Sequence, residues 1–134
     1  MPAKRQQPEF ELQAVVVALL RFRARAGLFW FHPPNGEKRS PRTGARLKRM
    51  GVVAGVPDLV LIWQKRAIGL ELKAEGSYQN AEQRAVELAW TKAGGAYFCA
   101  KGYKAAVGFL TLLDCIKPIH DDDTRFIPRD GAAV

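Results

Sequence analysis

The feature that most constrains the fold of this chain is a pair of apolar segments separated by a short polar break. Asp58–Trp63 is a run of strand length, residues 64–66 are polar, and Ala67–Lys73 resumes the apolar pattern. Two such segments around so short a break are typical of a β-hairpin. We therefore predict a hairpin whose two strands lie inside a sheet.

The same hairpin brings charged side chains together in apolar surroundings. If its turn centres on Lys65, antiparallel pairing places Asp58 roughly opposite Leu72. Glu71 and Lys73 flank that position, and side chains two residues apart on a strand project from one face. The hairpin thus predicts that two carboxylates and one ammonium group lie close together on the sheet.

The rest of the chain alternates helical patterns with short apolar segments. In chain order we predict a helix over Pro8–Ala26, a strand over Leu28–His32, a basic helix capped by Thr43 and running through Met50, a helix over Ala81–Lys92 capped by Asn80, a strand over Ala96–Ala100 and a helix over Tyr103–Ile116. This order is that of an α/β fold, a small mixed sheet flanked by helices.

Composition indicates one globular domain in a reducing compartment. The 134 residues are 48% hydrophobic and 25% charged, which excludes a disordered tail or a disulfide-stapled miniprotein. Apolar runs such as Ala14–Leu20 are too short to cross a bilayer, and residues 1–10 lack the core of a signal peptide. Cys99 and Cys115 have no metal-site spacing. We expect a cytoplasmic single domain over 1–134, with its core at about 8–116 and an irregular tail over 117–134.

The net charge of +8 is confined to the first part of the chain. Residues 1–50 hold 11 Lys and Arg against 3 acids, whereas residues 51–134 hold 10 against 10. A segregated basic stripe is typical of phosphate contacts in nucleic-acid binding, and the alternative is a solvated basic loop. The stripe that we expect to bind DNA contains Lys38, Arg39, Arg42, Arg46, Lys48 and Arg49.

The two hairpin carboxylates indicate a metal site. Asp58 and Glu71 would repel each other unless a cation lay between them, and hard oxygen ligands suit Mg²⁺ or Mn²⁺. Such an ion polarises a phosphodiester and lowers the pKa of bound water, while Lys73 would stabilise charge on the phosphate. The alternative is a Pro-Asp turn followed by an unrelated Glu/Lys surface pair.

The positions of the acidic residues around the first helix indicate a third carboxylate for the site. With the apolar stripe of the first helix facing the core, Glu9 falls near the buried face and Glu11 points aside. We prefer Glu9 for the site and keep Glu11 in reserve. Either acid could instead be a partner of the helix dipole.

Several motifs occur together in a fixed order, namely His32–Gly36, Ala45–Lys48, Met50–Leu59, Gly69–Lys73 and Gln83. Pro57-Asp58 followed by Glu71-Leu72-Lys73 resembles the signature of the PD-(D/E)XK nuclease superfamily. The surrounding motifs resemble its VRR-NUC domain, of the stand-alone phage and bacterial type, over roughly residues 8–115.

The resemblance implies a restriction-endonuclease-like core and Mg²⁺- or Mn²⁺-dependent hydrolysis of DNA. It implies that Asp58, Glu71 and the backbone carbonyl of Leu72 bind metal and that Lys73 is catalytic. The resemblance also implies a homodimer that cuts branched DNA, including Holliday junctions. Its expected location is the cytoplasm of a bacterium or phage-infected cell. Membrane partners and small organic cofactors are not expected.

The resemblance also implies that Glu9 and Gln83 complete the site from two helices. The segment between Gly76 and Gln83 is one residue longer than the family pattern, so Gln79 competes with Gln83. Glu37 is a second departure, because it places an acid in the basic loop.

Further residues are expected to contact DNA or a second subunit. We add Asn35 and Tyr78 to the DNA-binding residues, and we expect His32 to be structural or to face DNA. A dimer interface is expected to use apolar residues such as Phe29, Trp30, Phe31, Phe109 and Leu113. The alternatives to a nuclease are a junction-binding module that does not cleave and a basic RNA-binding protein.

Overall fold

The structure is a computed structural model that describes residues 2–34 and 40–118. Within those residues the chain forms a four-stranded mixed sheet with helices on both faces. The elements, in chain order, are α1 (Pro2–Arg23), β1 (Phe29–Phe31), α2 (Pro41–Arg49), β2 (Leu59–Trp63), β3 (Arg66–Lys73), α3 (Ala81–Lys92), β4 (Ala96–Lys101) and α4 (Tyr103–Leu112). The predicted α/β class, a small mixed sheet flanked by helices, is confirmed.

The strands follow one another across the sheet in the order β1-β2-β3-β4. The first two pairings are antiparallel, and β3 pairs with β4 in parallel through the crossover that contains α3. Side chains alternate between the faces. Phe98 contacts Phe109 of α4, with ring centres 4.8 Å apart, whereas Tyr97 meets the edge of Trp90 of α3. Therefore α4 covers one face of the sheet and α3 the other.

The hairpin register differs by one residue from the predicted one. The turn is the two-residue pair Gln64-Lys65, and both residues have positive φ, 50° and 66°. Two-residue turns of this kind match the twist of the strands that they join, so the hairpin centres between the pair rather than on Lys65. Continuing the observed register brings Asp58 level with Glu71 instead of Leu72.

The core lies between the sheet, α1 and α4. The apolar stripe predicted on the first helix is buried, although α1 begins at Pro2 rather than at Pro8. The largest buried side chains include Leu19, Leu20, Leu59, Leu61, Leu70, Leu72 and Leu110. None of the helices in the described ranges combines the length and the hydropathy needed to cross a bilayer.

Two helices end earlier than predicted. α1 stops at Arg23 rather than Ala26, and α4 stops at Leu112 rather than Ile116. A short antiparallel bridge between Ala24 and Ile116 joins the segments that follow the two helices, and Asp114, with a φ of 59°, ends helical geometry after α4.

The basic helix α2 is capped by Ser40 and not by Thr43. The Ser40 hydroxyl accepts a hydrogen bond from the Thr43 backbone N–H, and Pro41 occupies the first turn. Proline suits that position because its fixed φ is helical and its missing N–H would have no helical partner. Gly51, with a φ of 97°, ends the helix region as predicted.

Candidate active site

Asp58 lies where the chain enters β2 and is tied to two neighbouring segments. Its Oδ2 accepts a hydrogen bond from the Leu72 backbone N–H at 2.7 Å, and its backbone carbonyl accepts one from His32 Nδ1 at 2.6 Å. Burial raises the pKa of its carboxyl above the ordinary value, and the negative charges of Glu71 and Glu9 add to that rise. The structure thus brings three of the predicted acidic residues into electrostatic contact.

Glu71 projects from the middle of the sheet and is 1% exposed. The Tyr97 hydroxyl donates to its Oε1 at 3.3 Å, while Oε2 is buried and has no hydrogen-bond partner among the described residues. A buried carboxylate oxygen without a partner is costly unless a cation or a proton compensates its charge. Beside Asp58, this oxygen fits one ligand position of a divalent cation.

Two hydrogen-bond donors from β4 face the Glu71 carboxylate. Burial, together with the Glu71 charge and hydrogen bond, raises the pKa of Tyr97 far above its ordinary value. Burial and the adjacent Glu71 carboxylate raise the pKa of Cys99 to about 12. Both groups therefore keep their protons at neutral pH.

Side chains alone supply only part of the ligands that a hard cation needs. Within residues 2–34 and 40–118, no three Asp, Glu, His or Cys side chains gather closely enough to hold a metal by themselves. A cation between Asp58 and Glu71 would therefore draw its other ligands from the Leu72 carbonyl, water or substrate. Mg²⁺ commonly binds in this way, through one or two carboxylates and several waters.

Lys73 lies two residues along the same face of β3 as Glu71 and is 8% exposed. It is level with Lys101 on β4, and its carbonyl accepts a hydrogen bond from Gly102 N–H at 2.9 Å. The end of the sheet beside the two carboxylates is therefore positively charged.

Tyr78 lies in the loop after β3 and is 78% exposed. The Lys101 ammonium sits over its ring, 4.2 Å from the ring centre. A cation on an exposed aromatic ring is an arrangement that can contact both a base and a phosphate.

The structure separates the two competing glutamines. Gln83 forms a capping box with Asn80, in which its Oε1 accepts the Asn80 N–H at 2.9 Å and its own N–H donates to Asn80 Oδ1 at 2.8 Å. Gln79 Nε2, by contrast, is buried and without a hydrogen-bond partner in the described part of the chain. Gln83 is therefore engaged in capping α3, and Gln79 carries the amide that is available to a ligand.

The basic residues of α2 are all exposed. Arg42, Arg46 and Arg49 recur at helical spacing and line one groove, and Lys48 faces the groove on the other side of the helix. The remaining predicted DNA contacts lie outside the described residues, namely Asn35, Lys38 and Arg39.

The predicted dimer surface is smaller than expected. Phe29 and Phe31 are exposed on the edge strand β1, and Ile62 is exposed beside Phe29 in register. The other three candidates are partly buried against the core, so each exposes less of its side chain: Trp30, Phe109 and Leu113.

Sequence reasoning missed three residues on β4. Tyr97, Cys99 and Lys101 alternate along the strand and so share the face of Glu71 and Lys73. The alternation is visible in the sequence. That these residues lie beside Glu71 depends on the parallel pairing of β4 with β3, which the sequence pattern does not specify.

A comparison with solved structures identifies the fold. A structure named VRR_NUC domain protein superimposes with a TM-score of 0.59 over 92% of this chain and 95% of that chain, at 22% sequence identity. No protein-family profile matches the chain. No curated protein matches it. The resemblance found in the sequence motifs is thus confirmed at the level of the fold: the chain has the α/β architecture of a VRR_NUC domain protein.

Proposed function

We propose that this chain is a DNA endonuclease that hydrolyses phosphodiester bonds with Mg²⁺ or Mn²⁺. The observation that carries the proposal is the Glu71 carboxylate. One of its oxygens is held by Tyr97, and the other is buried beside Asp58 with no hydrogen-bond partner among the residues described. The fold shared with a VRR_NUC domain protein supports the same conclusion.

Asp58 and Glu71 would hold the cation together with the Leu72 carbonyl, and Glu9 would add negative charge from α1. When bound, the ion polarises the phosphate and lowers the pKa of a coordinated water. The Leu72 N–H holds Asp58 Oδ2 in place, which leaves the other carboxylate oxygen of Asp58 for the ion or its water.

Lys73 acts on the substrate rather than on the ion. Its ammonium group would donate to a phosphate oxygen, where negative charge builds up during attack by water. Gln83 is the predicted helical contribution to the site, but the free amide of Gln79 makes Gln79 the better candidate for contacting the water or the phosphate.

DNA would approach the face that carries the carboxylates. The arginines of α2 supply exposed positive charge for backbone phosphates, and Lys101 and Tyr78 supply a second contact beside Lys73. For Asn35, Lys38 and Arg39 we propose the same role in phosphate binding.

We further propose that the protein acts as a homodimer on branched DNA, of which a Holliday junction is one form. Phe29, Phe31 and Ile62 form an exposed apolar surface on the edge of the sheet, and the two phenyl rings lie 5.9 Å apart. A two-fold interface through this surface would present two equivalent sites to opposed strands. The two free cysteines fit the reducing cytoplasm that we propose as its location.

The test of the proposed function is cleavage of a labelled four-way junction and of a linear duplex with the same arm sequence. We expect cuts in Mn²⁺ and Mg²⁺, none in EDTA, and loss of cutting in Glu71→Gln. A gel shift without cleavage in either metal would contradict the proposal and identify the protein as a junction-binding module.

Assembly is tested separately by light scattering. We expect about twice the monomer mass of 14.9 kDa for the wild type and the monomer mass for Phe29→Ser/Phe31→Ser. A protein that stays monomeric on junction DNA and nicks one strand per encounter would contradict the proposed homodimer but not the proposed nuclease activity.

A further inference from the structure

Tyr97 reaches Glu71 because the position between them has no side chain. Tyr97 is level with Gly69 on the neighbouring strand, and its ring extends over that glycine toward Glu71. A Cβ added to Gly69 would lie 2.9 Å from Tyr97 Cδ2 and 3.0 Å from Pro57 Cγ. Glycine at this position therefore opens the path by which the hydroxyl reaches the carboxylate.

The ring of Tyr97 is held from the other side by α3. The edge of Trp90 meets it with ring centres 6.3 Å apart and the planes at 73°. Trp90 is itself anchored, since its Nε1 donates to the Ala67 carbonyl at 3.3 Å. Gly95 allows this close approach, because a Cβ there would lie 2.4 Å from Trp90 Nε1. Tyr97 is thus clamped between the sheet and a tryptophan.

We propose that Tyr97 is a positioning residue for metal binding, and this proposal rests on the metal role proposed for Glu71. By donating to Oε1, its hydroxyl orients the carboxylate so that Oε2 is the oxygen presented to the cation. Without that bond the carboxylate can rotate about its last torsion, and part of the binding free energy is spent on ordering it. Gly69 and Trp90 keep the hydroxyl at its place.

The test is Mn²⁺ binding by the full chain in the absence of DNA, measured by calorimetry and by loss of the free-ion signal in electron paramagnetic resonance. Tyr97→Phe keeps the ring and its packing but removes the hydroxyl. We expect the Kd for Mn²⁺ to rise about tenfold or more, as is typical when a partner of a metal ligand is removed. The Tm in EDTA should stay close to that of the wild type.

Two further variants separate positioning from packing. Tyr103→Phe removes the same atom from the tyrosine that begins α4, on the other face of the sheet, and should leave the Kd for Mn²⁺ unchanged. Gly69→Ala keeps the hydroxyl but displaces the ring, and it should raise the Kd as Tyr97→Phe does. It also serves as the second test if Tyr97→Phe fails to fold.

The outcomes are distinct. A folded Tyr97→Phe or Gly69→Ala protein that binds Mn²⁺ as tightly as the wild type would overturn the positioning role, even if its Tm falls. A wild-type protein that binds no Mn²⁺ and cuts no DNA would instead overturn the proposed function itself.

Discussion

Glu71 is almost fully buried between strands, whereas the arginines of α2 stand in solvent on a helix in which none of the described residues is buried. Both sets of charges are proposed to act on the same phosphodiester backbone. Burial of the carboxylate costs desolvation free energy, but Tyr97 and the surrounding strands fix its geometry. The arginines keep their hydration and can adjust to different backbone paths.

The proposed function would explain this contrast. A metal ligand must be placed within fractions of an ångström, which requires the rigid interior of a sheet. Phosphate contacts depend on summed charge and tolerate flexible side chains, so they belong on an exposed surface. Chemistry and affinity should therefore respond to different substitutions.

The largest effect is expected from Glu71→Gln, which keeps the shape of the side chain and removes its charge. Cleavage should fall roughly a thousandfold, equivalent to about 4 kcal/mol of transition-state stabilisation. Affinity for the junction in EDTA should change by less than about twofold, because phosphate contacts lie elsewhere. Single-turnover cleavage and a binding titration measure the two. A cleavage rate within about tenfold of wild type would contradict the role of Glu71 in catalysis.

Lys73→Ala should lower the single-turnover rate about a hundredfold, the size typical of losing one charge-stabilising donor. Its Kd for Mn²⁺ should stay near the wild-type value, because an ammonium group is not a metal ligand. Lys92→Ala, at the exposed end of α3, is the matched control and should leave the rate unchanged. If metal affinity falls with the rate, Lys73 supports the carboxylates rather than the substrate.

Replacing Arg42, Arg46 and Arg49 by glutamine should weaken junction binding about tenfold or more at moderate salt and flatten its salt dependence. Each lost contact lowers the log–log slope by about 0.9, so three contacts lower it by about 2.7 on duplex arms. Cleavage at saturating DNA should persist. Arg66→Gln, at the far end of β3, is the control. An unchanged slope in the triple variant would mean that α2 faces away from DNA.

The smallest effect concerns Asp58 and pH. Its folded pKa is raised above the unfolded one, so the folded state holds this proton more tightly. The metal-free protein should therefore lose stability from this group as pH rises through the folded pKa. Asp58→Asn should abolish that loss, which leaves its Tm in EDTA equal to or above wild type at pH 7. Thermal melts between pH 4 and 7 test this. A variant Tm below wild type across the range would contradict it.

Much of the fold follows from local patterns. The hairpin, the helix capped by Asn80 and the buried stripe of α1 could all be predicted, because each depends on residues close together in the chain. The bridge between Ala24 and Ile116 could not be predicted, since it joins segments far apart in sequence. The Ser40 cap is a local feature, because it depends on Pro41 occupying the first turn of α2.

The sequence alone determined which residues are candidates for the proposed site. Asp58, Glu71 and Lys73 stand out by their spacing along two adjacent strands, and strand geometry alone places Glu71 and Lys73 on one face. The observed register, which differs by one residue from the predicted one, adds Asp58 to that face. Tertiary structure decided how those groups are held. The capping box between Asn80 and Gln83 is local, but the parallel pairing of β4 with β3 puts Tyr97 and Cys99 against Glu71. These contacts form only when strands and helices distant in sequence pack together, so no local pattern encodes them.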